Sequence, residues 1–87
     1  MPFTLNQAIV KAVDALQAIS DTPRLDAEWL LLFVLDQQPG SKEHSRAFLR
    51  THAEDQLAAP LFQEFQNLLK QRLQGKPLAY ILQQWEF

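Results

Sequence analysis

At 87 residues and 47% hydrophobic side chains, the chain is one small domain with enough apolar content for a core, near the size at which a single core is just sufficient. The absence of cysteine excludes disulfides and thiolate metal sites. Eight Lys+Arg against 10 Asp+Glu, a net charge of −2, argue against general nucleic-acid binding, which needs a basic surface to displace counterions.

Thr4 and Gln7 have the spacing of a capping box, in which hydroxyl and amide satisfy reciprocal backbone donors. Behind them Leu5, Ala8, Ile9, Ala12, Val13, Leu16 and Ile19 recur at helical steps and predict a first amphipathic helix. Ser20 to Pro23 ends it, with Thr22 expected as the next N-cap and Pro23 in the first turn. The second helix runs to about Leu35 and is apolar all round from Trp29 onward, which predicts a place at the centre of a bundle.

Asp36 to Gly40 is a turn, and Ser41 is expected to cap a short third helix through about Arg50 that buries Ala47, Phe48 and Leu49. Residues 51–58 are polar and weakly periodic, so the expectation there is a loop. Pro60 opens a fourth helix whose Leu61, Phe62, Phe65, Leu68, Leu69 and Leu73 form a stripe ending at Gly75. Pro77 to about Leu82 predicts a short fifth element. With only two glycines and five prolines, the fold expected is all-α, a compact bundle of four to five short helices.

The longest apolar run, Trp29 to Leu35, is seven residues, far short of a membrane span. Met1-Pro-Phe-Thr has no basic leader, so the expected location is cytoplasmic. The run Trp85-Glu-Phe87 is apolar and strand-prone, which reads as a chain cut before something that followed.

Little here suggests catalysis. His44 and His52 lie eight apart, where a helical metal pair wants a spacing of four. Ser41, Ser45 and Asp55 could be set beside a histidine on paper, but no strand-turn-helix elbow presents a nucleophile. Gly40 and Gly75 stand alone, so no phosphate loop is formed. No catalytic, metal or cofactor-binding residue is expected in this chain.

Arg24, Asp26 and Glu28 follow Pro23, where helix-end electrostatics accounts for the acids. Lys70, Arg72 and Lys76 gather where a helix C-terminus favours cations. Lys42, Arg46 and Arg50 repeat every fourth residue as a basic stripe. Charge and expected exposure nominate Arg46 and Arg50, with Arg72 and Lys76 as a second cluster, for contact with a partner.

Two segments together resemble a family. Thr22-Pro23-Arg24-Leu25-Asp26-Ala27-Glu28-Trp29-Leu30-Leu31 resembles the Ser/Thr-Pro-Arg-x-Asp-Ala-Glu-x-Leu-Leu signature of the HemK-type release-factor glutamine methyltransferases. Arg72-x-x-Gly75-Lys76-Pro77-Leu78-Ala79-Tyr80-Ile81, with Glu86-Phe87, resembles that family's second signature; the family pattern has glycine where this chain has Gln83. The resemblance implies an N-terminal helical bundle, residues 1–82, engaging the substrate. Residues 83–87 would then begin a β-hairpin linker to a Rossmann-like, S-adenosylmethionine-dependent domain.

By the same resemblance, the parent enzyme would methylate the glutamine amide of the Gly-Gly-Gln motif in peptide-chain release factors. The family's glycine-rich cofactor loop and Asn-Pro-Pro-Tyr motif belong to that later domain, and this chain alone would be inactive. Pro23, Arg24, Asp26, Glu28, Gly75, Pro77 and Tyr80 are then motif positions with structural roles. The partner would be a release factor, with no direct nucleic acid, no membrane and a monomeric state. The alternative is a free-standing helical interaction module or a helix-turn-helix domain.

Overall fold

The computed structural model describes residues 3–37 and 45–83. Within them the chain forms β1 (Phe3–Thr4), α1 (Leu5–Leu16), α2 (Pro23–Asp36), α3 (Arg46–Thr51), β2 (Gln56–Leu57), α4 (Ala59–Leu73) and α5 (Leu78–Gln83). The helices form the expected all-α bundle, with a two-residue antiparallel pair added at one end, in which Phe3 lies opposite Leu57 and Thr4 opposite Gln56.

The entry to α1 shows why that pair exists. A helix begins with backbone N–H groups that have no partner inside the helix. Here the Leu5 N–H donates to the Asp55 carbonyl at 2.9 Å and the Asn6 N–H to the Ala53 carbonyl at 3.0 Å. The Gln7 N–H donates to Thr4 Oγ1 at 3.1 Å, and the Thr4 N–H returns a bond to Gln7 Oε1 at 2.9 Å, completing the predicted capping box. The polar segment 51–58 is therefore more than the loop expected from its sequence. Its carbonyls satisfy the first turn of α1, and its one large apolar residue, Leu57, is buried. A two-residue strand is too short for any periodicity to reveal.

The core is built from Leu5, Ala8, Ile9, Ala12 and Leu16 of α1, Ala27, Leu30, Leu31, Leu32 and Val34 of α2, and Leu49, Leu57, Phe65, Leu68 and Ile81. The α2 helix touches α1, α3, α4 and α5, the central place its composition predicts. It is not buried all round, however. Trp29 is 45% exposed, and Phe33 and Leu35 are half-buried, so part of the surface of α2 is left uncovered by the described elements.

Other expectations shift by small steps. Ile19 lies beyond the end of α1 and is exposed, as is Leu73 at the end of α4. Ala47 faces solvent, while Leu49 is the buried anchor of α3 and Phe48 is half-buried. Ser45 caps α3 through Phe48 N–H at 3.4 Å; Ser41 lies outside the described residues.

The exit from α4 follows the sequence closely. Gly75 takes φ +98°, the Gly75 N–H donates to the Arg72 carbonyl at 3.0 Å, and the Lys76 N–H donates to the Gln71 carbonyl at 3.4 Å. This is the paired bonding of a Schellman C-cap, which favours glycine at its left-handed position. Gln83, placed in the linker by sequence, is the last residue of α5; the expected strand-like entry at Trp85 to Phe87 lies outside the described residues.

Candidate functional site

The charged residues of the first motif are not dispersed helix-end charges. Asp26 and Glu28 are both buried, and Glu28 is fully so. Residues two apart on a helix point roughly 200° away from each other, so the two carboxylates face different neighbours.

Asp26 faces the junction of α4 and α5. Its Oδ2 accepts from Ser20 Oγ at 2.8 Å and from Arg72 Nε at 3.2 Å, while Oδ1 accepts from Thr22 Oγ1 at 3.4 Å. The Ser20 hydroxyl oxygen in turn accepts from the Thr22 N–H at 3.0 Å. Arg72 completes the chain by donating from Nη1 to the Lys76 carbonyl at 3.4 Å. Thr22, expected to cap α2, makes no side-chain bond to the helix backbone. Its hydroxyl orients the buried carboxylate instead.

Glu28 faces α3. Arg46 Nε donates to Oε1 at 2.7 Å, a short charge-assisted bond. On the same face of α2, one turn back, Arg24 Nε lies 3.4 Å from Oε2, an electrostatic contact without hydrogen-bond alignment, as Oε2 has no hydrogen-bond partner among the described residues. The i,i+4 relation of Arg24 to Glu28 was readable in the sequence; the pairing with Arg46 was not.

The nominated basic residues therefore separate into kinds. Arg72 is mostly buried, with a side chain 17% exposed, and is tied to Asp26. Arg46 is bound to Glu28 yet keeps 45% of its side chain exposed. Arg50 is exposed on the last turn of α3, and Lys76 Nζ stands 5.9 Å over the ring of exposed Tyr80. Lys42 and His44 lie outside the described residues.

His52 is exposed, bonded to Asp55 at 2.8 Å and stacked on Phe48 at 4.1 Å between ring centroids. With the Ser45 hydroxyl accepting from the backbone, these residues finish α3. Among the described residues no cluster of three or more His, Asp or Glu could hold a metal ion. No described helix is long and apolar enough to cross a membrane. A groove between α2 and α4, lined by Phe33, Val34, Gln37, Glu64, Asn67 and Leu68, has a volume of about 40 Å³. A small-molecule site begins at about 300 Å³, so this groove does not fit a nucleoside cofactor.

The network has a consequence for the two signatures. Far apart in sequence, they meet in the fold at Asp26 and Arg72, and residues 7–82, which contain the first signature and the second through Ile81, match the family described as the PrmC N-terminal domain. The chain belongs to that family. A release factor glutamine methyltransferase of Coxiella burnetii is 39% identical over 85 residues, covering 98% of this chain and 28% of its own length. Those of Shewanella oneidensis and Vibrio cholerae are each 36% identical, covering 93% and 100% of this chain and 26% and 28% of their own lengths. No solved structure matches. The chain thus spans little more than a quarter of the length of the relatives it matches.

Proposed function

We propose that this chain is the substrate-engaging N-terminal domain of an S-adenosylmethionine-dependent protein-glutamine methyltransferase that modifies the Gly-Gly-Gln glutamine of peptide-chain release factors. The observation that carries the proposal is the match over residues 7–82, together with relatives of that printed activity that align along nearly the whole chain. In this reading residues 1–82 form the recognition bundle and 83–87 lead into the catalytic domain. The cofactor and the reacting glutamine are held by that later domain, the bundle alone transfers no methyl group, and the protein is a cytoplasmic monomer.

Methylating one amide of a large protein requires binding energy from contacts remote from the reaction. A rigid bundle with an exposed basic patch supplies such contacts. Arg50 and the outward half of Arg46 form that patch on α3, with Lys76 as a second point. Arg72 contributes little there, because its cation is held inside.

Charge reversal at Arg50 is the cleaner test, since reversal at Arg46 would place an acid against buried Glu28. Arg50→Glu in the parent enzyme is expected to weaken release-factor binding, more at low salt than at high salt. Labelled release factor titrated with the bundle should show weak binding. A parent lacking residues 1–82 that stays folded and methylates the release factor at full efficiency would give this domain another task.

A further inference from the structure

The Asp26–Arg72 contact sits where the chain leaves the bundle, and its geometry says more than stability requires. The α5 helix is six residues long, too short to hold its own direction. It is anchored in the core by Ile81, which is fully buried. Half-buried Leu78 and Leu82 pack against the core beside it, but apolar packing is non-directional, so these contacts hold α5 against the core without by themselves fixing its angle to α4. Between α4 and α5 lie Gly75, whose backbone is left-handed, and Pro77, which has no N–H to give; the cap bonds from the Gly75 and Lys76 N–H groups close this break onto α4 but do not tie it to α2.

Arg72 spans it. Its Nε bonds Asp26 on α2 at 3.2 Å, and its Nη1 bonds the carbonyl of Lys76, on the far side of Gly75, at 3.4 Å. The planar guanidinium holds both bonds in one fixed geometry, which a lysine ammonium on a flexible stem does not reproduce. Asp26 is itself held by the Ser20 and Thr22 hydroxyls, so the clamp is seated on the rigid end of α2.

We infer that Arg72 is a positioning residue: it fixes the direction in which α5 leaves the bundle and thereby the placement of the domain that follows. This rests on the reading that a catalytic domain follows. A substrate gripped at two places gains from a fixed separation between them, through the effective concentration of the second contact. Loosening the clamp therefore weakens the grip on an intact protein substrate while sparing chemistry on a small one.

The test uses the full-length parent, spin-labelled at a cysteine replacing exposed Asp14 and at one on the surface of the following domain. Arg72→Lys retains the charge beside Asp26 and loses the bridge to the Lys76 carbonyl; Arg72→Met removes both. With Arg72→Lys, the expected result is an unchanged melting temperature, a broadened distance distribution, and a KM for intact release factor raised on the order of tenfold. The kcat for a short Gly-Gly-Gln peptide should be unchanged. Arg72→Met should broaden the distribution further, and if it fails to fold, Arg72→Lys alone decides. A folded Arg72→Lys protein with the wild-type distance distribution and KM overturns the inference. If the unaltered parent methylates no release factor, the functional reading falls, and the distances, which need no substrate, still decide the role of Arg72.

Discussion

The two ends of this bundle are held by different physics. At the entry to α1, backbone carbonyls of Ala53 and Asp55 satisfy the first helical N–H groups, and Leu57 seals the contact. At the start of α2, buried side chains do this instead: Asp26 is tied to Arg72 and Glu28 to Arg46. Backbone bonds can form with many side-chain choices, whereas a guanidinium facing a buried carboxylate cannot be replaced by a neutral group without leaving a charge unpaired. The charged end of the bundle accordingly carries the motifs, and the backbone-bonded end carries a segment with no evident pattern.

That contrast can be broken by substitution, most sharply at the charged end. Arg46→Met leaves Glu28 without its short partner, and the loss should be roughly 3 kcal/mol, the low end for breaking a buried pair, because Arg46 is partly open to water. Adding Glu28→Met should recover much of this, as two apolar groups of matching size replace the pair. Urea denaturation of the single and double variants reads both steps, and a double variant no more stable than the single would remove the unpaired charge as the cause.

At the other end, Leu57→Ala should cost roughly 2–3 kcal/mol, the lower part of the range for a buried leucine, since a two-residue strand can partly collapse into the space. Loss of hydrogen-exchange protection at the Leu5 and Asn6 amides should accompany it. If those amides stay protected, segment 51–58 is held by something other than Leu57.

Gly75→Ala meets no atom within 4 Å, so any effect comes from the left-handed backbone alone, about 1–2 kcal/mol. A thermal melt showing no change would mean that the α4 cap had rearranged. The smallest effect is expected at Thr4→Ala, about 1 kcal/mol for a lost N-cap, because two carbonyls of segment 51–58 still serve the first turn of α1. A loss well above 2 kcal/mol would show that the cap, and not the backbone pairing, holds that end.

The elements most legible in the sequence are those whose signals lie within a few residues. Thr4 and Gln7 cap α1 as their spacing predicts, Gly75 closes α4, and the stripe through Phe65 and Leu68 faces the core. Signals that depend on which neighbours the packing supplies are not legible in this way. Thr22 looks like an N-cap but serves Asp26. Ala47 looks buried, yet the turn of α3 that faces the core carries Leu49. The seven-residue apolar run of α2 suggests burial all round, but no described element covers Trp29, which is 45% exposed.

Amphipathic periodicity, caps and the proline and glycine breaks set the helices and their order, because each depends on bonds and torsions a few residues long. The resemblance of two short motifs was enough to indicate the family. Which charges are buried was decided only when α2, α3 and α4 packed. Asp26 and Arg72 are 46 residues apart, and Glu28 and Arg46 are 18 apart; no local rule distinguishes a carboxylate bound for solvent from one that will meet an arginine in the core. Burial raises the electrostatic cost of leaving either charge alone, and packing alone determines where that cost falls.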